Sequence, residues 1–308
     1  MHDGDEERLD LAISRATGRS RAFVQVQIAQ GRVSVDGVAA AKPSQKVSSG
    51  ARIDCTFEDA PPSKLTPVAA DLNVLYEDAD LLVIDKASHL TVHPAPGTHG
   101  PTLVHHLLHH LGKAIESLDP ARPGIVHRLD RGTSGCIVVA KNRPAQEKLS
   151  AQFKDRVVKK VYEAIAWGAL PERGIWESVV GRDRTNRKKM SRRTDQPRDA
   201  LTGYERRQAF RHAVQVRLFP KTGRTHQLRV HLTENGNPIV GDELYGGRVG
   251  KRALAEPLRE ILAKIDRPLL HAAELSIDHP VSCERMTFQA PLPADFRETL
   301  AAFVEYDT

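Results

Sequence analysis

The run Gly124-Ile125-Val126-His127-Arg128-Leu129-Asp130-Arg131-Gly132-Thr133-Ser134-Gly135 sets one carboxylate between two arginines and two hydroxyls. Apolar stretches of β type lie on both sides, so its polar and turn-forming residues predict a loop. Cations beside a carboxylate favour its ionised form, which a nucleophile or general base requires. The same residues also suit a structural turn, in which Asp130 caps a helix or pairs with arginine. Two other patterns invite a chemical reading. His105, His106, His109 and His110 form i,i+4 pairs on a predicted helix, a spacing that zinc sites use. No acidic residue accompanies them, and no metal is expected. Gly223-Arg224-Thr225 has the composition of a phosphate loop. Neither a Walker pattern nor GxGxxG surrounds it, so no nucleotide cofactor is expected.

The apolar pattern supplies elements to position that loop. Leu81-Leu82-Val83-Ile84-Asp85-Lys86 predicts a buried strand, and residues 102–111 predict a helix. Residues 135–141 read as a strand, 145–153 as a helix, 157–167 and 213–219 as strands, and 227–233 as a helix. Strands and helices in irregular order predict an α+β fold with a mixed sheet. Before it, Leu9, Leu11, Ala12 and Ile13 predict a short helix ending near Gly18. Ser20 is placed to cap a second, carrying Phe23, Val24, Val26 and Ile28 and ending near Gly31. Residues 32–38 alternate and contain Asp36-Gly37, a hairpin signal, and 47–55 suggest a further turn and strand. Ala60-Pro61-Pro62-Ser63-Lys64-Leu65-Thr66-Pro67 predicts an extended linker, because proline fixes φ and removes donors. The expected boundaries are 1–60 for a first domain, 61–71 for the linker and 72–308 for a second.

Composition narrows the class. With 308 residues, 40% apolar and 27% charged, the chain can bury a large core and a small one. No apolar stretch approaches the length of a membrane span. The acidic start, with no apolar segment, predicts no secretory signal. Three scattered cysteines form no CxxC pair, which argues against a disulfide framework or thiolate zinc site and for the cytoplasm. The formal net charge is +6, and residues 181–198 alone hold eight Lys/Arg against two Asp. Such a run suits a solvated loop or a nucleic-acid contact. Residues 1–60 hold eight Lys/Arg and nine Asp/Glu, so any RNA face there is a local patch.

Ordered motifs add a resemblance. Arg8-Leu9-Asp10, Ser20-Arg21, Ile28-x-x-Gly31-x-Val33-x-Val35-x-Gly37 and Gly50-x-x-Ile53 resemble the S4 RNA-binding domain. His127-Arg128-Leu129-Asp130 resembles the signature of the RluA/RluD family of pseudouridine synthases. Further matches are Val74-Leu75-Tyr76-Glu77-Asp78, Thr91-Val92-His93-Pro94-Ala95-Pro96-Gly97 and Lys159-Lys160-Val161-Tyr162. Asn186-Arg187-Lys188-Lys189-Met190, Gly223-Arg224-Thr225-His226-Gln227-Leu228-Arg229, Gly241-Asp242-x-x-Tyr245-Gly246 and His271-Ala272-Ala273-Glu274-Leu275 follow. Asp85-Lys86-Ala87-Ser88-His89-Leu90 departs from the family's Asn-Lys-Pro-x-Gly-Leu, which bears on loop shape there. Arg131-Gly132 stands where Lys-Asp is commoner. The S4-like region, HPAPG and NRKKM are similar to the large-subunit ribosomal RNA subgroup, synthase D.

The resemblance implies a small S4-type α/β domain and a catalytic domain with a mainly antiparallel mixed sheet flanked by helices. It implies conversion of uridine to pseudouridine in RNA without cofactor or metal, by a cytoplasmic monomer. Asp130 matches the essential aspartate, Tyr162 the tyrosine that packs on the target base, and Arg229 the basic partner of the aspartate. Arg128 matches an arginine that fills the gap left by the flipped base, and Leu228 an apolar wall. Arg187, Lys188, Lys189 and Arg21 are expected RNA contacts. Whether Asp130 attacks C1′ or takes the C2′ proton stays open. Transfer RNA or another RNA is the alternative substrate, and a non-catalytic S4-type ribosome-assembly factor the alternative role. A zinc deaminase would need a Cys/His set with a nearby Glu, which the sequence lacks.

Overall fold

A computed structural model describes residues 6–19, 21–57, 65–94, 98, 100–116, 118–119, 122–246, 254 and 256–307. Ser20 as a helix cap, residues 60–64 of the expected linker, and residues 95–97 lie outside the described residues. The chain divides into two compact units, Met1–Ser63 and Lys64–Thr308.

In the first unit, β1 (Glu7–Arg8) leads into α1 (Leu9–Thr17) and α2 (Arg21–Ala29). Then come β2 (Val33–Val35), β3 (Val38–Ala39), β4 (Lys46–Val47) and β5 (Ile53–Cys55). β1 pairs with β4, and β2 lies between β3 and β5. Asp36 and Gly37 both have positive φ (50° and 79°), as a two-residue type I′ hairpin requires. Leu9, Ala12, Ile13, Val24 and Ile28 form the core with Val33 and Val47. Two residues expected in it point outward: Leu11 is 37% and Val26 52% exposed. Each is two positions from a core residue (Leu9 and Ile13; Val24 and Ile28), which on a helix is the wrong side.

The second unit begins with β6 (Val74–Glu77), β7 (Leu81–Lys86), α3 (Leu103–Leu111), α4 (Lys113–Glu116), β8 (Ser134–Ala140) and α5 (Arg143–Lys154). It continues with β9 (Lys159–Trp167), β10 (Arg173–Arg182), β11 (Met190–Ser191), β12 (Arg198–Ala209), β13 (Ala213–Pro220) and α6 (Gln227–Glu234). α7 (Leu258–Ala263), β14 (Leu270–Asp278), β15 (Arg285–Gln289) and α8 (Ala294–Asp307) complete it. The strands form one sheet in the order β11-β10-β12-β13-β9-β14-β8-β7-β6, with β15 also on β14. Among the described residues only β8 and β14 pair in parallel; the other strand pairings there are antiparallel. The fold is α+β with a mixed, mainly antiparallel sheet.

β7 is buried almost throughout because both sheet faces are covered. Leu81 and Val83 pack toward α5 with Cys136 and Val138. Leu82 and Ile84 pack toward α3 with Ile137 and Val139. A two-residue period thus sends one apolar run into two cores. α5 starts where Asn142 accepts the Ala145 N–H at 2.9 Å, with proline in the first turn. The two long strands β10 and β12 lie beyond the sequence reading. Their partly exposed, charge-rich faces carry no continuous apolar signal. Within the stretch expected as linker, Val68 donates to His105 O (3.1 Å) and accepts from His106 Nδ1 (2.9 Å). Leu65 packs on the α3 core.

Candidate active site

Asp130 lies on the loop that enters β8. Thr133 N–H donates to Asp130 O (3.1 Å), closing the turn. The loop is held from beneath. Arg267 Nη1 donates to Gly132 O (3.3 Å) and is fixed by a two-armed ion pair with Asp295 (2.6 and 2.7 Å). Ser134 Oγ donates to His271 Nδ1 (2.9 Å), because His271 Nε2 donates to Ala290 O. Buried Lys86 donates to Ala87 O (2.8 Å), Leu90 O (2.9 Å) and Arg131 O (3.5 Å). Burial lowers its pKa to about 7, against the pull of Asp130. His127 is structural: it stacks on Phe153 and its Nε2 accepts the Val138 N–H at 3.0 Å. Burial, with Lys160, holds it neutral, with a pKa of about 3.

The cation that reaches Asp130 comes from far along the chain. Arg229 Nη1 donates to Asp130 Oδ2 at 3.2 Å. The same guanidinium forms a fork with Asp242, Nε to Oδ2 at 2.7 Å and Nη2 to Oδ1 at 2.9 Å. Side-chain exposures are 18% for Asp130, 9% for Arg229 and 1% for Asp242. Burial opposes the guanidinium charge, but the bonds to Asp242 and then Asp130 more than offset it, and its pKa rises. Arg229 also lies over the Tyr245 ring, 4.8 Å from the centroid. His226 Nε2 stands 3.8 Å from Asp130 Oδ2, and its Nδ1 meets Tyr245 Oη at 2.9 Å. Burial lowers the His226 pKa. The arginines beside Asp130 in sequence do not take this role: Arg131 Nε donates to His89 O (3.1 Å), and Arg128 is exposed. A strand follows Asp130, so it caps no helix.

α6 presents Arg229 because its other side is clamped. Gln227 accepts from Thr222 Oγ1 (2.7 Å) and Arg224 N–H (3.0 Å), and donates to Thr202 Oγ1 (2.9 Å). One turn on, His231 meets Thr202 Oγ1 at 3.0 Å and Ser178 Oγ at 2.9 Å. These i,i+4 side chains fix the rotation of α6 against β10 and β12. Leu228 packs into the core and also lines the cleft.

That cleft, about 600 Å³ and open to solvent, is lined by Arg128, Asp130, Thr133, Lys160, Tyr162, Leu228 and Arg229, among others. It unites five residues that the sequence singled out: Asp130, Tyr162, Arg229, Arg128 and Leu228. Burial, then Asp130, pushes the Tyr162 phenol up, which favours its protonated form. An ionised carboxylate here can attack an electrophilic carbon or accept a proton. Sequence reading assigned no role to Asp242 or Tyr245, although both fall in a recognised motif. It also missed Lys86 and Arg267; buried cations carry no periodic signal.

Arg187, Lys188 and Lys189 do not line that cleft. They occupy the turn between β10 and β11, which Asp183 holds by accepting the Asn186 N–H (2.7 Å). Lys189 sits over Tyr245, 5.7 Å from the centroid, and lines a second cleft with Arg192 and Arg193. Arg21, in the first unit, pairs with buried Asp10 at 2.8 Å. Among the described residues, Asp78, Asp80 and His279 form one group with metal-ligand types. There His279 Nδ1 accepts the Val281 and Ser282 N–H groups, so Nε2 carries the proton and donates to Asp78 (2.9 Å). Neither ring nitrogen is left for an ion. The α3 histidines serve locally: His105 Nδ1 accepts the Thr102 N–H (3.0 Å) and His110 Nε2 pairs with Glu77 (2.8 Å). Among the described residues no helix is long and apolar enough to cross a membrane.

The chain is similar to known proteins in sequence and in fold. The family model described as RNA pseudouridylate synthase matches residues 80–234, and the S4 domain model residues 7–53. An uncharacterized RNA pseudouridine synthase of Chlorobaculum parvum is 41% identical over 291 residues, covering 91% of this chain and 89% of the relative. Ribosomal large subunit pseudouridine synthase D of Pseudomonas aeruginosa is 39% identical, covering 94% of this chain and 90% of the relative. The solved structure of human RNA pseudouridylate synthase domain containing 1 aligns with a TM-score of 0.60 and 26% identity, covering 80% of this chain and 91% of that one.

Proposed function

The chain belongs to the RNA pseudouridylate synthase family, and on that premise we propose that it isomerises uridines in large-subunit ribosomal RNA, with Asp130 opening the N1–C1′ bond. The observation that carries the assignment of Asp130 is its bond to Arg229 across 99 residues of sequence, at a cleft shared with Tyr162. The ribosomal substrate is supported by the synthase D relatives and by the S4 match.

The target base leaves its stack and enters the cleft, at a cost of roughly a few kcal/mol. Asp130 either bonds to C1′ or removes the C2′ proton; in both routes the N1–C1′ electron pair leaves with the base. The base turns and C5 bonds to C1′, displacing the Asp130 carboxylate in the first route or with Asp130 returning its proton to C2′ in the second; C5 then loses its proton and N1 gains one. Atoms and electrons balance within the nucleoside, so the reaction calls for no oxidant or phosphoryl donor. Arg229, already positioned by Asp242, orients the Asp130 carboxylate without moving when charge redistributes. Tyr162 packs on the base; its raised pKa favours hydrogen-bond donation over action as a phenolate. Arg128, at the exposed rim, fills the gap in the RNA stack. Arg187, Lys188 and Lys189 contact phosphates, as does Arg21 in the S4 unit.

Release of tritium from RNA labelled at uridine C5 tests the chemistry. Mapping pseudouridines in ribosomal RNA with and without the protein tests the substrate. Sites lost from transfer RNA alone would overturn the ribosomal assignment while leaving the chemistry intact.

A further inference from the structure

Both routes open to Asp130 expel the base as an anion, and of the four Lys and Arg residues that line the cleft two are occupied elsewhere while Arg128 stands at the exposed rim. Arg229 is engaged by Asp242 and Asp130. Arg224 donates through Nε to Asp199 O at 3.0 Å. Lys160 differs. It stands on β9 two residues before Tyr162, hence on the same face of the strand, and lines the cleft with Tyr162 and Asp130. Among the described residues its ammonium has no hydrogen-bond or ion-pair partner. It is partly buried, and burial, then Arg156, lowers its pKa to about 8. Its tip lies near the loop after β13: a Cβ on Gly223 would sit 3.9 Å from Nζ.

A second polar group in the cleft also waits for a partner. Thr133 is 2% exposed, and its buried Oγ1 has none. Buried polar atoms are nearly always paired, so an orphan hydroxyl on a cleft wall is explained by a polar ligand that completes it. A cation without a counter-anion, in a partly desolvated cleft, gains most when negative charge develops beside it.

We infer that Lys160 neutralises the uracil anion as it leaves C1′, donating a hydrogen bond from Nζ to a carbonyl oxygen of the base. This rests on the isomerase reading above. The N1–C1′ bond breaks and its electron pair spreads over N1 and the carbonyl oxygens. Asp130 bonds to C1′ or takes the C2′ proton. Lys160 keeps its protons throughout; as C5 bonds to C1′ the Asp130–C1′ bond breaks or Asp130 returns the proton to C2′, after which C5 gives up its proton and N1 takes one. Lys160 thus acts on the departing base, and Asp130 on the sugar.

The test uses the full chain and two RNAs of one sequence, carrying uridine or 5-fluorouridine at the target. Fluorine stabilises the uracil anion and so lessens the need for the ammonium. In single-turnover assays, read by nuclease digestion and mass spectrometry, Lys160→Met slows uridine consumption at least about a hundredfold. It slows 5-fluorouridine consumption less than about tenfold, with RNA affinity within about threefold of wild type. Lys160→Gln, a neutral polar replacement, is carried in parallel and read the same way, and Lys160→Arg recovers most of the uridine rate. Equal defects on both RNAs, a defect confined to RNA affinity, or a wild-type rate in the neutral variants would overturn the inference. Failure of the wild-type protein to convert uridine would instead overturn the isomerase reading.

Discussion

Asp130 takes its orientation from a guanidinium that a second carboxylate already holds. Asp242 supplies two short bonds to Arg229 and leaves Nη1 for Asp130. A lysine cannot reproduce that fork. Arg229→Lys is expected to lower turnover at least about a hundredfold while RNA affinity changes a few-fold, measured by tritium release and filter binding. Asp242→Ala leaves the buried guanidinium without its principal partner and should cost about 3 kcal/mol in stability, read from denaturant melts. Residue by residue, the sequence was partly legible. Motif order pointed to Asp130, Tyr162 and Arg229, whereas local charge pointed to Arg128 and Arg131 as the carboxylate's neighbours. The local reading failed because a turn sends adjacent side chains in different directions, and Arg131 bonds to His89 O. Asp242 sat in a recognised motif, but nothing in its spacing showed that it faces Arg229.

The elements around the loop leave little room for substitution. β8 and β14 pair in parallel through His271–Ser134 and Ala272–Gly135. Gly135 has φ +111°, and a Cβ there would overlap Ala272 O. Gly135→Ala is expected to destabilise the fold by about 3 kcal/mol or more or to yield insoluble protein, checked by thermal melting. In the first unit, α1 and α2 meet over buried Asp10, which accepts from Arg8, Arg21 and Gln25. The Arg8 hydrogen bond, against the opposing effect of burial and with help from Arg21, holds its pKa below the usual carboxylate range. The sign follows: Asp10's contribution is present above its unfolded pKa near 4 and is lost as pH falls through the lower folded value. The stability gap between wild type and Asp10→Asn should therefore narrow as pH drops below about 4. A constant gap would contradict it. Helices and buried strands were legible from their periods, and Asp36-Gly37 from its turn chemistry. β10 and β12 were not, because strands with charged, partly exposed faces lack a continuous apolar pattern.

Across the whole molecule, charge is uneven. The excess of Lys/Arg in residues 181–198 falls on the β10–β11–β12 side of the sheet, while Asp130 lies on the loop entering β8. Replacing Arg187, Lys188 and Lys189 together by Ala should weaken RNA binding and reduce the slope of log affinity against log salt by about two. The single-turnover rate at saturating RNA should change little. An unchanged slope would remove that hairpin from the RNA interface. The fold class was legible at this scale; the crossing of β14 between β8 and β9, which brings His271 beneath the loop, depends on long-range pairing that no local pattern encodes.

The central claim is that the Asp130 carboxylate performs the chemistry. Asp130→Asn keeps the side chain's shape and removes the charge. Tritium release from C5-labelled RNA, measured beside RNA affinity, should fall at least about a thousandfold with binding retained within a few-fold. Near-normal release by that variant would contradict the account.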